Sequence, residues 1–236
     1  MQQRGPENKR PCSTISVGET SVATLTVNEI YCSIQGESTW AGLPCTFVRL
    51  TACNLRCRWC DTAHAFHEGR KWSVEDVCAE VDRHRCRLVE VTGGEPLLQE
   101  GVYALMHRLL TAGRTVLLET GGHMSLARVP AAVVRIMDIK CPGSGEASRN
   151  DWSNIDRLQP HDEVKLVVKD RADYEYARDV VERHRLTERV HAIHVSPVHG
   201  VLEPRELAAW MVADQLPARL HLQLHKYIWE PETRGV

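Results

Sequence analysis

No run of this 236-residue sequence comes near the roughly 18 consecutive apolar residues of a membrane-spanning helix. The opening segment, MQQRGPENKRPCSTISVGET, is polar and lacks the apolar stretch of a secretory signal. The expected compartment is therefore the cytoplasm, where thiols stay reduced. An excess of charge of one sign is missing too: 29 Lys and Arg nearly cancel 31 Asp and Glu. Without a basic field, nucleic acid is not an expected partner, and neither is a membrane. No internal repeat or low-complexity segment stands out.

What is present is the balance of a globular protein, 43% apolar and 25% charged, with nine cysteines. In a reducing compartment those cysteines mean metal or chemistry before they mean disulfides. Residues 1–22 read as a flexible leader and 23–236 as a single domain. LTVNEIYCSI and CTFVRL read as strands. SVEDVCAEVDRHR carries Val74, Val77, Cys78 and Val81 at helical spacing, with Ser73 as N-cap and Asp76 three residues on. RLVEVT is a strand, and residues 97–112 a helix. TVLLET, VVRIMDIK and EVKLVVK are strands, and residues 172–185 a helix. VHAIHVSP is a strand, PRELAAWMVAD a helix, and RLHLQLHKYIW a final strand. Residues 141–154 are Gly/Ser-rich and read as a long loop or a crossover with its helix eroded. Such alternation predicts the α/β class with a mostly parallel sheet. Six or seven strand units are too few for a closed eightfold barrel, so an open, partial (β/α) barrel is expected, with a doubly wound sheet second. Sites in such sheets form at the carboxyl ends of strands. The cysteine loop, TGGEP, ETGG and DIKCPG all fall there.

CNLRCRWCDT places Cys53, Cys57 and Cys60 within eight residues. Thiolates bind soft metals and iron–sulfur clusters. A structural zinc needs a fourth ligand, for which Cys45, His64 and His67 are the nearest candidates. Three buried, metal-free cysteines fit poorly beside Asn54, Arg56 and Arg58. The remaining reading is a 4Fe–4S cluster with three irons on cysteine and one left open for an amine and carboxylate. Trp59 can lie against a base or pack under the loop. In TGGEP the glycines allow close backbone approach, Pro96 suits a first helical turn, and Glu95 can accept from an ammonium. Lys140 can hold a carboxylate, or be a solvated lysine. Ser196, after AIHV, can touch a nucleoside.

The CxxxCxxC spacing resembles that of the radical S-adenosylmethionine (SAM) enzymes, which implies SAM on the open iron and a 5′-deoxyadenosyl radical. Residues 29–62, EIYCSIQGESTWAGLPCTFVRLTACNLRCRWCDT, narrow this further. With TGGEP, ET at Glu119 and LHKY, they resemble the 7-carboxy-7-deazaguanine synthase family of queuosine and other deazapurine biosynthesis, a tRNA-modification pathway. The resemblance implies a radical SAM type partial barrel and a carbon–nitrogen lyase. Its substrate is 6-carboxy-5,6,7,8-tetrahydropterin. The radical takes hydrogen from C6, the ring contracts, ammonia leaves and SAM is regenerated. Mg2+ assists. An electron donor such as flavodoxin and a homodimer are further expectations.

Carried onto this chain, the SAM contacts are Trp59, Asp61, Gly94, Glu95, Asp138, Lys140 and Ser196. The substrate contacts are Ile34, Gln35, Gly36, Arg49, Thr92 and His225, and Thr62 is the Mg2+ ligand. The residues suit those roles. An Arg49 fork takes a carboxylate bidentately, although a rim salt bridge is its other reading. Gln35 offers donor and acceptor to a pterin edge. Mg2+ prefers oxygen and keeps most of its waters, so one hydroxyl besides the substrate suffices. On physics alone Thr62 is a loop residue and His225 a half-buried histidine. The rivals are a radical SAM activase of a glycyl-radical enzyme and a non-enzymatic zinc- or cluster-binding protein.

Overall fold

The computed structural model describes residues 23–236, so the expected leader, 1–22, lies outside the described residues. Chain order is β1 (Thr24–Ile34), β2 (Pro44–Leu50), β3 (Arg70–Ser73), α1 (Val74–His84), β4 (Leu88–Gly93) and α2 (Gly101–Thr111). Then follow β5 (Thr115–Thr120), β6 (Val134–Asp138), β7 (Glu163–Val168), α3 (Arg171–Arg183), β8 (Ala192–Pro197), α4 (Pro204–Ala213), β9 (Arg219–Leu220) and α5 (His225–Ile228). They build one open sheet in the order β3-β1-β2-β4-β5-β6-β7-β8-β9. From β2 to β9 every pairing is parallel; β1 runs antiparallel to both β2 and β3. The sheet does not close, as six or seven parallel units predict. No helix among the described residues is long and apolar enough to cross a membrane.

Alternation along each strand separates two faces. Val48, Val89, Val91, Val116, Leu118, Val164, Leu166, Ile193 and Val195 join the main core with Val77 and Val81 of α1, Leu105 and Leu109 of α2, Tyr174 and Val181 of α3, and Leu207 of α4. Each fully buried aliphatic side chain there contributes about 2 kcal/mol, and truncating Leu105 to alanine would cost about 3 kcal/mol. The inner face has an apolar floor of Cys45, Phe47, Leu88, Leu117 and Ile136. Above it, toward the carboxyl ends, the inward positions turn polar: Arg49, Thr92, Glu119, Asp138 and Lys165.

Ser73 caps α1 as its position suggests, its hydroxyl accepting from the Asp76 amide at 3.0 Å. Three expectations need correction. The helix of 97–112 is split: Glu95 caps a short 3-10 turn (Pro96–Leu98), and α2 starts at Gly101. The final strand shrinks to Arg219–Leu220, so His225 sits on the short α5. Alternation with helices fails at β1, whose partners are antiparallel neighbours. Residues 141–154 fall on the parallel β6–β7 crossover and carry 3-10 turns in place of a helix, as the eroded-crossover reading expects.

Candidate active site

A cavity of about 700 Å³ opens at the carboxyl ends of the strands. Its first wall is made by backbone meeting backbone. The cysteine loop leaves β2 through Ala52, whose φ of 81° is left-handed. The Glu95 amide donates to the Ala52 carbonyl at 2.8 Å, and the Gly94 amide to Leu50 at 3.1 Å. A Cβ on Gly94 would collide with the Ala52 carbonyl, and one on Gly93 with that of Leu50. The two glycines therefore seat the TGGEP turn on the cysteine loop. The Glu95 carboxylate is fully buried and accepts from the Leu97 amide (3.0 Å), the Thr120 hydroxyl (2.9 Å) and the Gly121 amide (2.8 Å). It thereby ties the turn to the end of β5. Burial raises its pKa, against the pull of those amides.

Cys53, Cys57 and Cys60 are free thiols, all half-buried and all on the cavity wall. Burial raises Cys53 and Cys57, and the Lys140 ammonium pulls both toward thiolate. Among the described residues no group of three or more His, Cys, Asp or Glu is arranged to hold one metal ion. Three thiols around one cavity suit a cluster, in which each thiolate binds a different iron. Trp59 and Asp61 line the same wall. Asp61 is turned toward the C-terminal segment, where Lys226 (2.8 Å) and Gln223 (3.3 Å) donate to it. Partial desolvation raises the pKa of this half-exposed carboxyl, but the Lys226 ammonium outweighs it and holds the group down at about 2. Lys140 is ion-paired with Asp138 at 2.5 Å. The Thr62 hydroxyl makes no capping bond to the turn it precedes and lies 3.7 Å from the Cys60 sulfur.

The facing wall is held by side chains. Arg49 points into the cavity, its Nε donating to Glu29 (2.7 Å) and its Nη2 to the Tyr31 hydroxyl (2.9 Å). Antiparallel register places these partners: Glu29 faces Arg49, and Tyr31 faces and stacks on Phe47. Neither bond uses Nη1. The Gln35 amide donates to Glu90, and its oxygen accepts from the Glu37 amide at 2.8 Å. Burial, then Glu119 and Glu37, raise the Glu90 pKa well above the usual range. The Thr92 hydroxyl donates to Glu119 at 3.1 Å. Lys165 sits among Glu37 (2.7 Å), Glu119 and Asp138 (3.8 Å), which raise its pKa against the effect of burial.

Residues 48–187 match the Radical SAM superfamily. A 7-carboxy-7-deazaguanine synthase of Koribacter versatilis (strain Ellin345) is 49% identical over 226 residues, covering 90% of this chain and 100% of the relative. This chain belongs to the 7-carboxy-7-deazaguanine synthase family. A second such synthase, from Chlorobaculum tepidum, is 45% identical over 217 residues, covering 91% of this chain and 98% of the relative. The fold is also similar to the crystal structure of QueE from Escherichia coli, with a TM-score of 0.69 at 22% identity, covering 86% of this chain and 95% of that one. Family membership makes the chain a radical SAM enzyme and implies a 4Fe–4S cluster and SAM. These relatives favour the synthase over the activase and zinc-protein rivals.

Of the expected residues, all but one line the cavity: Cys53, Cys57, Cys60, Trp59, Asp61, Thr62, Gly94, Glu95, Asp138 and Lys140 on the cysteine side, and Ile34, Gln35, Gly36, Arg49, Thr92 and His225 on the other. Ser196 is the exception. It is 2% exposed on β8, off the cavity wall, its hydroxyl without a partner. At Gly36 a Cβ would strike the His225 ring, so the glycine also lets α5 dock. The sequence reading missed Glu29, Tyr31, Glu37, Glu90 and Lys165. It also left Val236 without a role, yet residues 231–236 line the cavity. A signal for two of the missed residues was available: Glu90 and Lys165 are charges inside strands of a parallel sheet, where both faces should be covered.

Proposed function

We propose that this chain converts 6-carboxy-5,6,7,8-tetrahydropterin to 7-carboxy-7-deazaguanine with release of ammonia, a carbon–nitrogen lyase reaction, in the cytoplasm. The observation that carries this reading is one cavity walled on one side by Cys53, Cys57 and Cys60 and on the other by Arg49. When bound, the cluster and SAM supply a 5′-deoxyadenosyl radical. Arg49 holds the substrate carboxylate through the edge its partners leave free, with Glu29 and Tyr31 fixing the plane of the fork. Gln35 and Thr92 orient the ring through their amide and hydroxyl, Ile34 and Gly36 shape the turn beside it, and His225 closes that side. Lys140 and Asp138 border the SAM region with Trp59. Thr62 offers its hydroxyl to Mg2+. Residues 231–236 help to keep water out. A flavodoxin-type electron donor and a homodimer complete the proposal.

Anaerobic turnover of the carboxy-tetrahydropterin with SAM, reductant and Mg2+ tests it, with the product read by mass. The expected product is the ring-contracted acid plus ammonia, and its absence from a cluster-loaded protein would reject the reading. Cys57→Ala should abolish the reaction. Arg49→Ala should raise the substrate KM by about 100-fold, the worth of a charge-assisted pair. Unimpaired turnover would remove its role. Chelating Mg2+ should slow turnover, and restoring it should recover the rate.

A further inference from the structure

Residues 35–43 leave the end of β1 and reach the strands on the opposite side of the open barrel. Backbone bonds from Gln35 to Leu43 and from Gly42 to Gln35 fix the internal shape of this loop. They do not fix its tilt across the barrel. That is set by contacts far apart in sequence. The Thr39 amide donates to Glu163 at 3.0 Å, and the Thr39 hydroxyl donates to the same carboxylate. The Ser38 amide donates to His221 Nε2 at 3.0 Å. Glu163 is fully buried and also accepts from His194 Nε2 at 2.6 Å, and the His194 and His221 rings meet edge to face. None of Ser38, Thr39, Glu163, His194 or His221 lines the cavity.

We infer that Glu163 and His221 are positioning residues that latch the turn bearing Ile34, Gln35 and Gly36 across the open side of the barrel, and thereby set substrate affinity. The inference rests on the proposed substrate contacts of that turn. Glu163 is suited to the task because one buried carboxylate takes both Thr39 donors while His194 donates to it as well. Leaving the latch open would cost the substrate the work of seating the turn, which appears in KM and not in the chemistry at the cysteine wall.

The test uses the cluster-loaded full chain carrying Glu163→Gln, Thr39→Ala, or both, with Thr39→Ser as the conservative control. Each of the first two should raise the KM for the carboxy-tetrahydropterin about tenfold and leave kcat within about twofold. Iron content and SAM affinity should not change. Amide exchange across residues 35–41 should accelerate about tenfold while that of β4 and β5 stays as it was. Because both variants open one latch, the double variant should be no worse than either single, and Thr39→Ser should restore the wild-type KM. Faster exchange with an unchanged KM overturns the inference. So does a KM rise accompanied by loss of iron and SAM binding, or strictly additive losses in the double variant. An inactive wild type would overturn both this inference and the substrate reading beneath it. An active wild type with unshifted variants overturns the latch alone.

Discussion

The two walls of the cavity are held by different forces. On the cysteine side, Leu50, Ala52, Gly93 and Gly94 meet backbone to backbone, at a distance that only glycine permits. On the facing side, Glu29, Gln35, Glu37, Glu90, Arg49 and Lys165 meet through ion pairs and hydrogen bonds. The backbone contacts of the first wall carry no charge of their own, but they are intolerant of one added carbon. The second keeps several charges in a low-dielectric space, where each depends on its partners. A cluster is well served by the first kind, and a polar, hydrogen-bonding ring by the second.

Variants on each wall sharpen that contrast. Lys165→Met should have the largest effect on stability, about 4 kcal/mol, because Glu37 and Glu119 would lose the cation that faces both. Raising the pH should worsen that loss by keeping the carboxylates ionised, and urea unfolding at two pH values checks it. Gly94→Ala should cost about 3 kcal/mol and reduce iron retention, with no such dependence on pH. A pH-dependent loss at Gly94 would break the contrast.

His221 gives a smaller effect with a defined window. Burial lowers its pKa to about 4, and His194 and Lys165 push the same way, against Glu37 and Glu163. The unfolded chain therefore takes up the proton first, near pH 6.5, so stability is complete above that value and falls as pH drops toward 4. The ring must be neutral to accept from the Ser38 amide. His221→Gln should flatten this dependence by about 2 kcal/mol relative to the wild type. The smallest effect is expected far from both walls: Arg128→Ala breaks an exposed pair with Glu100 and should leave the unfolding midpoint unchanged.

The cysteine wall was legible because its parts are local in sequence. Three cysteines lie in one short loop, and TGGEP lies at the next parallel strand end. The facing wall was only half legible. Arg49 and Gln35 stood out by type, but their partners follow from register: Glu29 comes opposite Arg49 only after the irregularity between Val27 and Glu29 shifts β1. Glu37 and Lys165 meet across 128 residues, and no local pattern announces such a pair. The last strand was misread because HLQLHKYIW alternates like a strand, although α5 is formed by docking His225 on Gly36. Ser196 was expected at the ligand because it follows a strand, yet it stays inside β8.

The most direct test of the account is electron paramagnetic resonance of the anaerobically loaded, reduced protein with and without SAM. A reduced 4Fe–4S signal that shifts when SAM is added, and that Cys57→Ala abolishes, is the predicted result. A colourless protein holding zinc, or a signal indifferent to SAM, would contradict it.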